Sequence, residues 1–190
     1  MIIWIIGLSG SGKTTVGKLL IKELNKTGKN FVYLDGDDLR KVWVNKVGHT
    51  LSGRRLNAER IFNLCKLLDK QNINVVCSIV SIFPDIQKKA SKMFRDFKLI
   101  YLKTPLKLLK KRDTKGIYKK NKLGKDKNVV GINLNFPKPY KPFLVIKSYG
   151  KNNPEKIKTF IISKINQIND KNIYIYNIPR NNYIFNCKSN

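Results

Sequence analysis

The chain has 190 residues, 42% of them hydrophobic, which is enough for one domain with a core of ordinary apolar content. No apolar run is long enough to span a bilayer, and three cysteines without metal-ligand spacing read as reduced thiols, so a cytoplasmic protein is expected and membrane, zinc-site and disulfide-framework classes are excluded. The formal net charge of +27 calls for anionic partners; since only 7 of the 39 basic residues are Arg and the Lys residues run through the whole chain without a recognition-helix, RNP or zinc-finger pattern, small anions are expected and nucleic acid is not.

Met1 to Ile6 is a short, β-branched apolar run of the kind found in buried parallel strands, and it is read as a strand and not as a signal peptide. GLSGSGKTT follows, from Gly7 through Leu8, Ser9, Gly10, Ser11, Gly12, Lys13 and Thr14 to Thr15. A helix comes next, with Leu20, Ile21 and Leu24 at helical spacing. Strand, glycine-rich turn and helix are the context in which G-x-x-x-x-G-K-[ST] means a phosphate cradle and not an ordinary turn. Backbone N–H groups from Ser9 to Lys13 and the positive helix end would hold the phosphates of ATP. Lys13 neutralises charge on the β- and γ-phosphates, and the Thr14 hydroxyl holds Mg²⁺.

Asn30 to Leu34 is a second strand, ending in Asp35-Gly-Asp-Asp-Leu-Arg40. Carboxylates there lie in the crevice where open α/β sheets bind ligands, so Asp35 or Asp37 can orient Mg²⁺ or take a proton from an attacking hydroxyl. Arg40 is suited to grip an anionic acceptor, and Asp38 is expected to cap the next helix. Leu51 to Gln71 reads as a helix whose buried stripe is Leu56, Ile61, Leu64, Leu67 and Leu68. Arg54 and Asn57 share a face and Arg60 continues the row. From this segment alone, a solvated face and a crevice-facing one are equally good readings. Asn74 to Ile79 is a central strand and Ser81 to Pro84 a loop before a helix. Phe97 to Leu102 is the fourth strand, followed by a helix that Pro105 opens and that runs into the basic segment Lys110 to Tyr118. That cation-rich segment has the composition of a lid closing over phosphates, or of a solvated basic helix. Phe143 to Lys147 is the last sheet strand and Pro154 to Ile168 a closing helix with Ile157, Phe160, Ile161 and Ile165 buried. A domain over 1–169 with a lid at about 110–142 is expected, and an extension over 170–190 that is either a further strand pair or a tail.

Taken in order, GLSGSGKTT, LDGDDLR from Leu34, the Arg54–Asn57–Arg60 spacing, RDTKGIY from Arg112 and Gly131-Ile-Asn133 with Pro139 and Pro142 resemble the adenylylsulfate (APS) kinase family over Ile2 to about Ile146. These are P-loop kinases that phosphorylate the ribose 3′-hydroxyl of adenosine 5′-phosphosulfate. The resemblance implies a three-layer α/β/α fold on a mostly parallel five-stranded sheet, ATP as donor, Mg²⁺, a small nucleotide acceptor and room for a homodimer. It implies that Asp35 is the base alongside Lys13, and that Arg112 and Lys115 join the P-loop around ATP. The acceptor would be held by Arg40, Arg54 and Asn57, together with Asp37, Ser81, Phe83, Lys115, Ile132 and Phe136.

The departures from the family pattern fall on the acceptor side. Gly53 stands where the family has Asp, and an aromatic that packs on the acceptor base is replaced around His49 to Leu51. Ser81 to Pro84 replaces Ser-Pro-Tyr-Arg, and Asn133, Phe136 and Pro137 replace Asp, Tyr and Glu. Relatives of the family occur in bacterial surface-polysaccharide pathways, so an activated nucleotide such as cytidine diphosphoramidate is the second acceptor to weigh. A non-catalytic P-loop binding module, switched by the basic lid, is the alternative from another class.

Overall fold

The computed structural model describes residues 1–45, 47–171 and 184–185. Five strands lie side by side and all pair in parallel: β1 (Ile2–Ile6), β2 (Phe31–Asp35), β3 (Asn74–Ile79), β4 (Phe97–Lys103) and β5 (Leu144–Lys147), in the order β2-β3-β1-β4-β5. β1 runs from Ile2↔Val75 to Ile6↔Ile79 against β3, and from Ile2↔Phe97 to Ile6↔Tyr101 against β4. Its five residues are all buried, as the run of β-branched and aromatic side chains requires. A two-residue strand, β6 (Ile184–Phe185), adds to the far side of β5. The rest of the expected 170–190 extension lies outside the described residues, apart from the end of the last helix.

Alternation along the strands sorts the core into two layers. Ile2, Trp4 and Ile6 face Ile61, Phe62 and Cys65 of α3 (Leu51–Lys70) and Ile86, Ala90 and the following Phe94 at α4 (Pro84–Met93). Ile3 and Ile5 face Val16, Leu20 and Leu24 of α1 (Lys13–Asn25) and Ile157, Ile161 and Ile165 of α7 (Pro154–Lys171). A third, small cluster of Leu109, Tyr118 and Val129, with Leu8, ties α5 (Leu106–Arg112) and α6 (Ile117–Lys122) to the P-loop. Among the described residues no helix is long and apolar enough to cross a membrane.

Two local expectations are corrected. The stripe of α3 is rotated: Asn57, Ile61, Phe62 and Cys65 are buried, while Leu56 and Leu67 are exposed at 42% and 53%. Asn57 points inward because its Oδ1 accepts from Trp43 Nε1 at 3.0 Å, which satisfies a polar group in a core-facing row. The helix α2 (Gly36–Val42) is capped by Asp35, whose Oδ1 accepts from Asp37 N at 2.9 Å. Asp38 instead pairs with Lys41 at 2.8 Å.

Candidate active site

The carboxyl ends of β1, β2 and β3 form one crevice, and the strand order turns about β1, so the P-loop sits at the switch point of the sheet. Gly12 caps α1 in the left-handed region, φ 89°, without any side-chain hydrogen bond. The first-turn N–H groups of α1 are thereby left for an anion and not for a capping side chain. Lys13 Nζ donates to Leu8 O at 2.8 Å, bridging the two limbs of the loop. Burial pushes the Lys13 ammonium down to about 8 against the pull of Asp37, and Lys115 adds to the lowering. Burial thus works against the charge while Asp37 and Asp35 support it, and an arriving anion would favour it further.

Asp35 sits between the P-loop and α2. Its Oδ2 accepts from Thr14 Oγ1 at 2.8 Å and from Tyr33 OH at 3.2 Å, while Oδ1 caps α2. A hydroxyl and a carboxylate side by side at a helix N-terminus are hard oxygen donors that fit Mg²⁺. Among the described residues there is no cluster of three or more His, Cys, Asp or Glu placed for a metal, so an ion here would complete its shell with water and substrate phosphate.

The segment from α5 through α6 reaches into the crevice from the other side. Lys115 forms an ion pair with Asp37. Burial works against the Asp37 carboxylate, but the hydrogen-bonded Lys115 ammonium, with Lys13 and His49 behind it, outweighs that and holds its pKa below the usual range. Tyr118 OH donates to Ser9 O at 3.0 Å, and burial raises the phenol to about 12, so it remains a donor. Arg112 Nη1 donates to Ser148 O at 3.3 Å, and Ser148 Oγ to Ser11 O at 2.7 Å, which anchors the end of α5 to the back of the P-loop.

Beyond Asp37, Arg40 and Arg54 lie close enough that each bears on the pKa of His49, as do Asp37 and Asp126. Burial lowers both guanidiniums, and for Arg54 the charge of Arg40 adds to it. Two like charges gathered around one opening favour an anion between them. Arg40 Nη1 donates to Val47 O and Gly48 O, each at 3.1 Å, and Arg54 to His49 O and Asn128 O, each at 2.9 Å.

The remaining expected site residues are placed less directly. Ser81 is buried, its hydroxyl 3.1 Å from Gln87 Nε2. Phe83 is buried under the Arg55 guanidinium, 4.4 Å from its ring centroid. Phe136 stacks on Tyr101 with centroids 5.4 Å apart, and Ile132 is exposed. The structure thus brings together Lys13, Thr14, Asp35, Asp37 and Lys115, with Arg40 and Arg54 beside them. Trp43, His49 and Tyr118 were not assigned roles from sequence. The signals are a Trp in a polar stretch whose indole needs an acceptor, the single His among arginines, and the Tyr that closes the RDTKGIY stretch.

Comparison with known proteins adds to this geometry. Residues 1–147 match the adenylylsulphate kinase family. An adenylyl-sulfate kinase of Clostridium acetobutylicum is 36% identical over 167 residues, covering 87% of this chain and 83% of that protein. A cytidine diphosphoramidate kinase of Campylobacter jejuni is 36% identical over 164 residues, covering 86% and 95%. The crystal structure of a Mycobacterium tuberculosis APS kinase in complex with AMPPNP and APS superposes with a TM-score of 0.79 at 27% identity, covering 87% of this chain and 96% of that one.

Proposed function

The chain belongs to the adenylylsulphate kinase family, and from that premise we propose that it transfers the γ-phosphate of ATP to the ribose 3′-hydroxyl of adenylyl sulfate. It is an ATP-dependent nucleotide kinase. The observation that carries the site assignment is the meeting of Lys13, Thr14 and Asp35 in one crevice, with Thr14 Oγ1 2.8 Å from Asp35 Oδ2.

ATP rests its phosphates on the N–H groups from Ser9 to Lys13, and Lys13 leaves Leu8 O for them. Thr14 and Asp35 would hold Mg²⁺, which when bound would neutralise charge on the β- and γ-phosphates. Arg40 and Arg54, with the buried Asn57 steadying Trp43 behind them, orient the acceptor so that its 3′-hydroxyl faces the γ-phosphate, and Asp35 takes the proton late in a loose transition state. Lys115, from the lid, covers the transferring phosphate. Holding two nucleotides in register accounts for about 7–11 kcal/mol of barrier lowering, more than any proton transfer here contributes.

A cytidylyl acceptor is the second reading, because the cytidine diphosphoramidate kinase is as similar to this chain as the adenylyl-sulfate kinase, at 36% identity each. The stretches around His49 to Leu51 and at Ser81 to Pro84 support it, since an aromatic is replaced in the first and Ser-Pro-Tyr-Arg in the second. The deciding experiment offers ATP with adenylyl sulfate or cytidine diphosphoramidate and identifies products by mass spectrometry. Adenylyl sulfate is expected to gain one phosphate. Nucleotide binding without product from either acceptor would mean a binding module and end the kinase reading.

His49 gives acceptor binding a pH dependence. Burial, then Arg54 and Arg40, lowers its pKa from the ordinary 6.5. An anionic acceptor that screens the guanidiniums raises that pKa, so binding takes up a proton. Acceptor affinity is therefore highest below the pKa of the free protein and falls as pH rises through that of the complex. A weakening of about threefold to tenfold between roughly pH 6 and pH 8 is expected in acceptor KM but not in ATP KM. His49→Gln should flatten the profile, and a slope that survives the substitution would assign it elsewhere.

A further inference from the structure

The loop joining α2 to α3 is held from several sides. Besides the bonds from Arg40 and Arg54, Arg60 Nη1 donates to Asn45 O at 2.8 Å, and Trp43 Nε1 to Asn57 Oδ1 at 3.0 Å. Thr50, the N-cap of α3, accepts from Gly53 N at 3.2 Å. Gly53 is thus the third residue of the helix, where an acid would complete a capping box and interact well with the helix dipole. Glycine there gives up both and is a poor helix former besides.

The reason for glycine is steric. A Cβ at position 53 would lie 2.6 Å from Gly48 O, 3.2 Å from Gly48 C and 3.2 Å from Thr50 Oγ1. The obstacle is loop backbone, which cannot swing aside as the end of a side chain would. Any other residue at 53 therefore lifts the loop from α3. The groups that would lose their geometry are Arg40, through Val47 and Gly48, and Arg54, through His49, both on the acceptor side of the crevice, and behind them the buried Asn57, through Trp43.

We propose that Gly53 is a positioning residue: by letting the loop seat on the first turn of α3 it fixes Arg40, His49, Arg54 and Asn57 and so sets which anionic nucleotide the enzyme accepts. The inference rests on the kinase reading above for the word acceptor, and on packing alone for the seat of the loop.

Two readouts separate these. The chain has two tryptophans, and Trp4 is buried at 1% exposure, so a change in emission reports the half-buried Trp43 in the loop. In Gly53→Ala, Trp43 emission should shift to the red, and acceptor KM for adenylyl sulfate or cytidine diphosphoramidate should rise about tenfold or more with ATP KM within about twofold. Alanine favours the helix over glycine, so the melting temperature should not fall in step with acceptor binding. Arg60→Gln, which frees the Asn45 carbonyl and also removes the guanidinium 5.9 Å from the Trp43 ring centroid, is read by KM alone: acceptor KM should rise by a smaller factor with ATP KM unchanged, and this decides the matter if Gly53→Ala does not fold. Wild-type emission and acceptor KM in the folded variants would overturn the proposal, as would equal increases in both KM values. If the wild type phosphorylates neither nucleotide, the kinase reading falls and the acceptor part with it, while the emission shift still reports on the seat of the loop.

Discussion

Lys13→Ala is expected to leave a folded protein whose phosphate transfer is reduced at least about 10²–10³-fold, the loss usual for a group that stabilises transition-state charge. Two features of the structure make the effect one-sided. Among the described residues the Lys13 ammonium donates to a loop carbonyl alone, Leu8 O at 2.8 Å, and burial has already lowered its pKa to about 8. Removing it costs the fold one hydrogen bond and relieves a desolvated charge, so melting temperature should change little. The transition state has no such compensation. Lys115 cannot fill the place, because its ammonium enters the crevice on the Asp37 side and not from within the P-loop. Thermal melting and single-turnover transfer, measured on the same preparation, check both halves. Transfer at the wild-type rate by a folded Lys13→Ala protein would remove the P-loop from the mechanism.

How far the sequence anticipated this site follows from the range of the interactions involved. The P-loop was legible because its meaning is local: glycines, lysine and hydroxyl at fixed spacing between a strand and a helix. The five strands were legible as apolar runs, and β3 was placed at Asn74–Ile79 to the residue. The phase of α3 was not, because Asn57 turns inward for the indole of Trp43, fourteen residues earlier, and no periodicity records that bond. The cap of α2 was misassigned among neighbouring acids. Asp35 and Asp38 both precede helical residues, and the choice is made by where β2 ends: at Asp35, with φ −106° and ψ 127°, still extended. Order within the lid was hidden for the same reason. Asp113 binds the N–H groups of Tyr118 and Lys119 at 3.1 and 2.8 Å, and Asn121 meets Asn133 at 2.6 Å, contacts that turn a basic run into a folded flap. Gly53 is the most telling case. Read along the chain it is a missing acid, and only the approach of the Gly48 carbonyl gives the absence a physical cause.

Asp35 is where structure and chemistry compete for one side chain, and its two substitutions should separate them. Asp35→Asn retains a carbonyl oxygen for Asp37 N, and Asn is as good an N-cap as Asp, so stability should be kept. Its other atom becomes an NH₂ facing Thr14 Oγ1 and Tyr33 OH, now a donor where both had donated. It can neither accept a proton nor hold a cation, and kcat should fall about 10²–10⁴-fold. Asp35→Ala should lose the same activity and, in addition, about 0.5–2 kcal/mol of stability from the uncapped helix. The two roles proposed for the carboxylate also part company here. If Asp35 mainly helps Thr14 hold Mg²⁺, raising the metal concentration should restore part of the turnover of Asp35→Asn, because substrate phosphates still supply ligands. If it mainly takes the hydroxyl proton, added metal should do nothing, and the loss should shrink as rising pH deprotonates the acceptor without help. An Asp35→Asn enzyme keeping more than about a tenth of wild-type kcat would mean that this carboxylate serves the fold and that the proton leaves by another route.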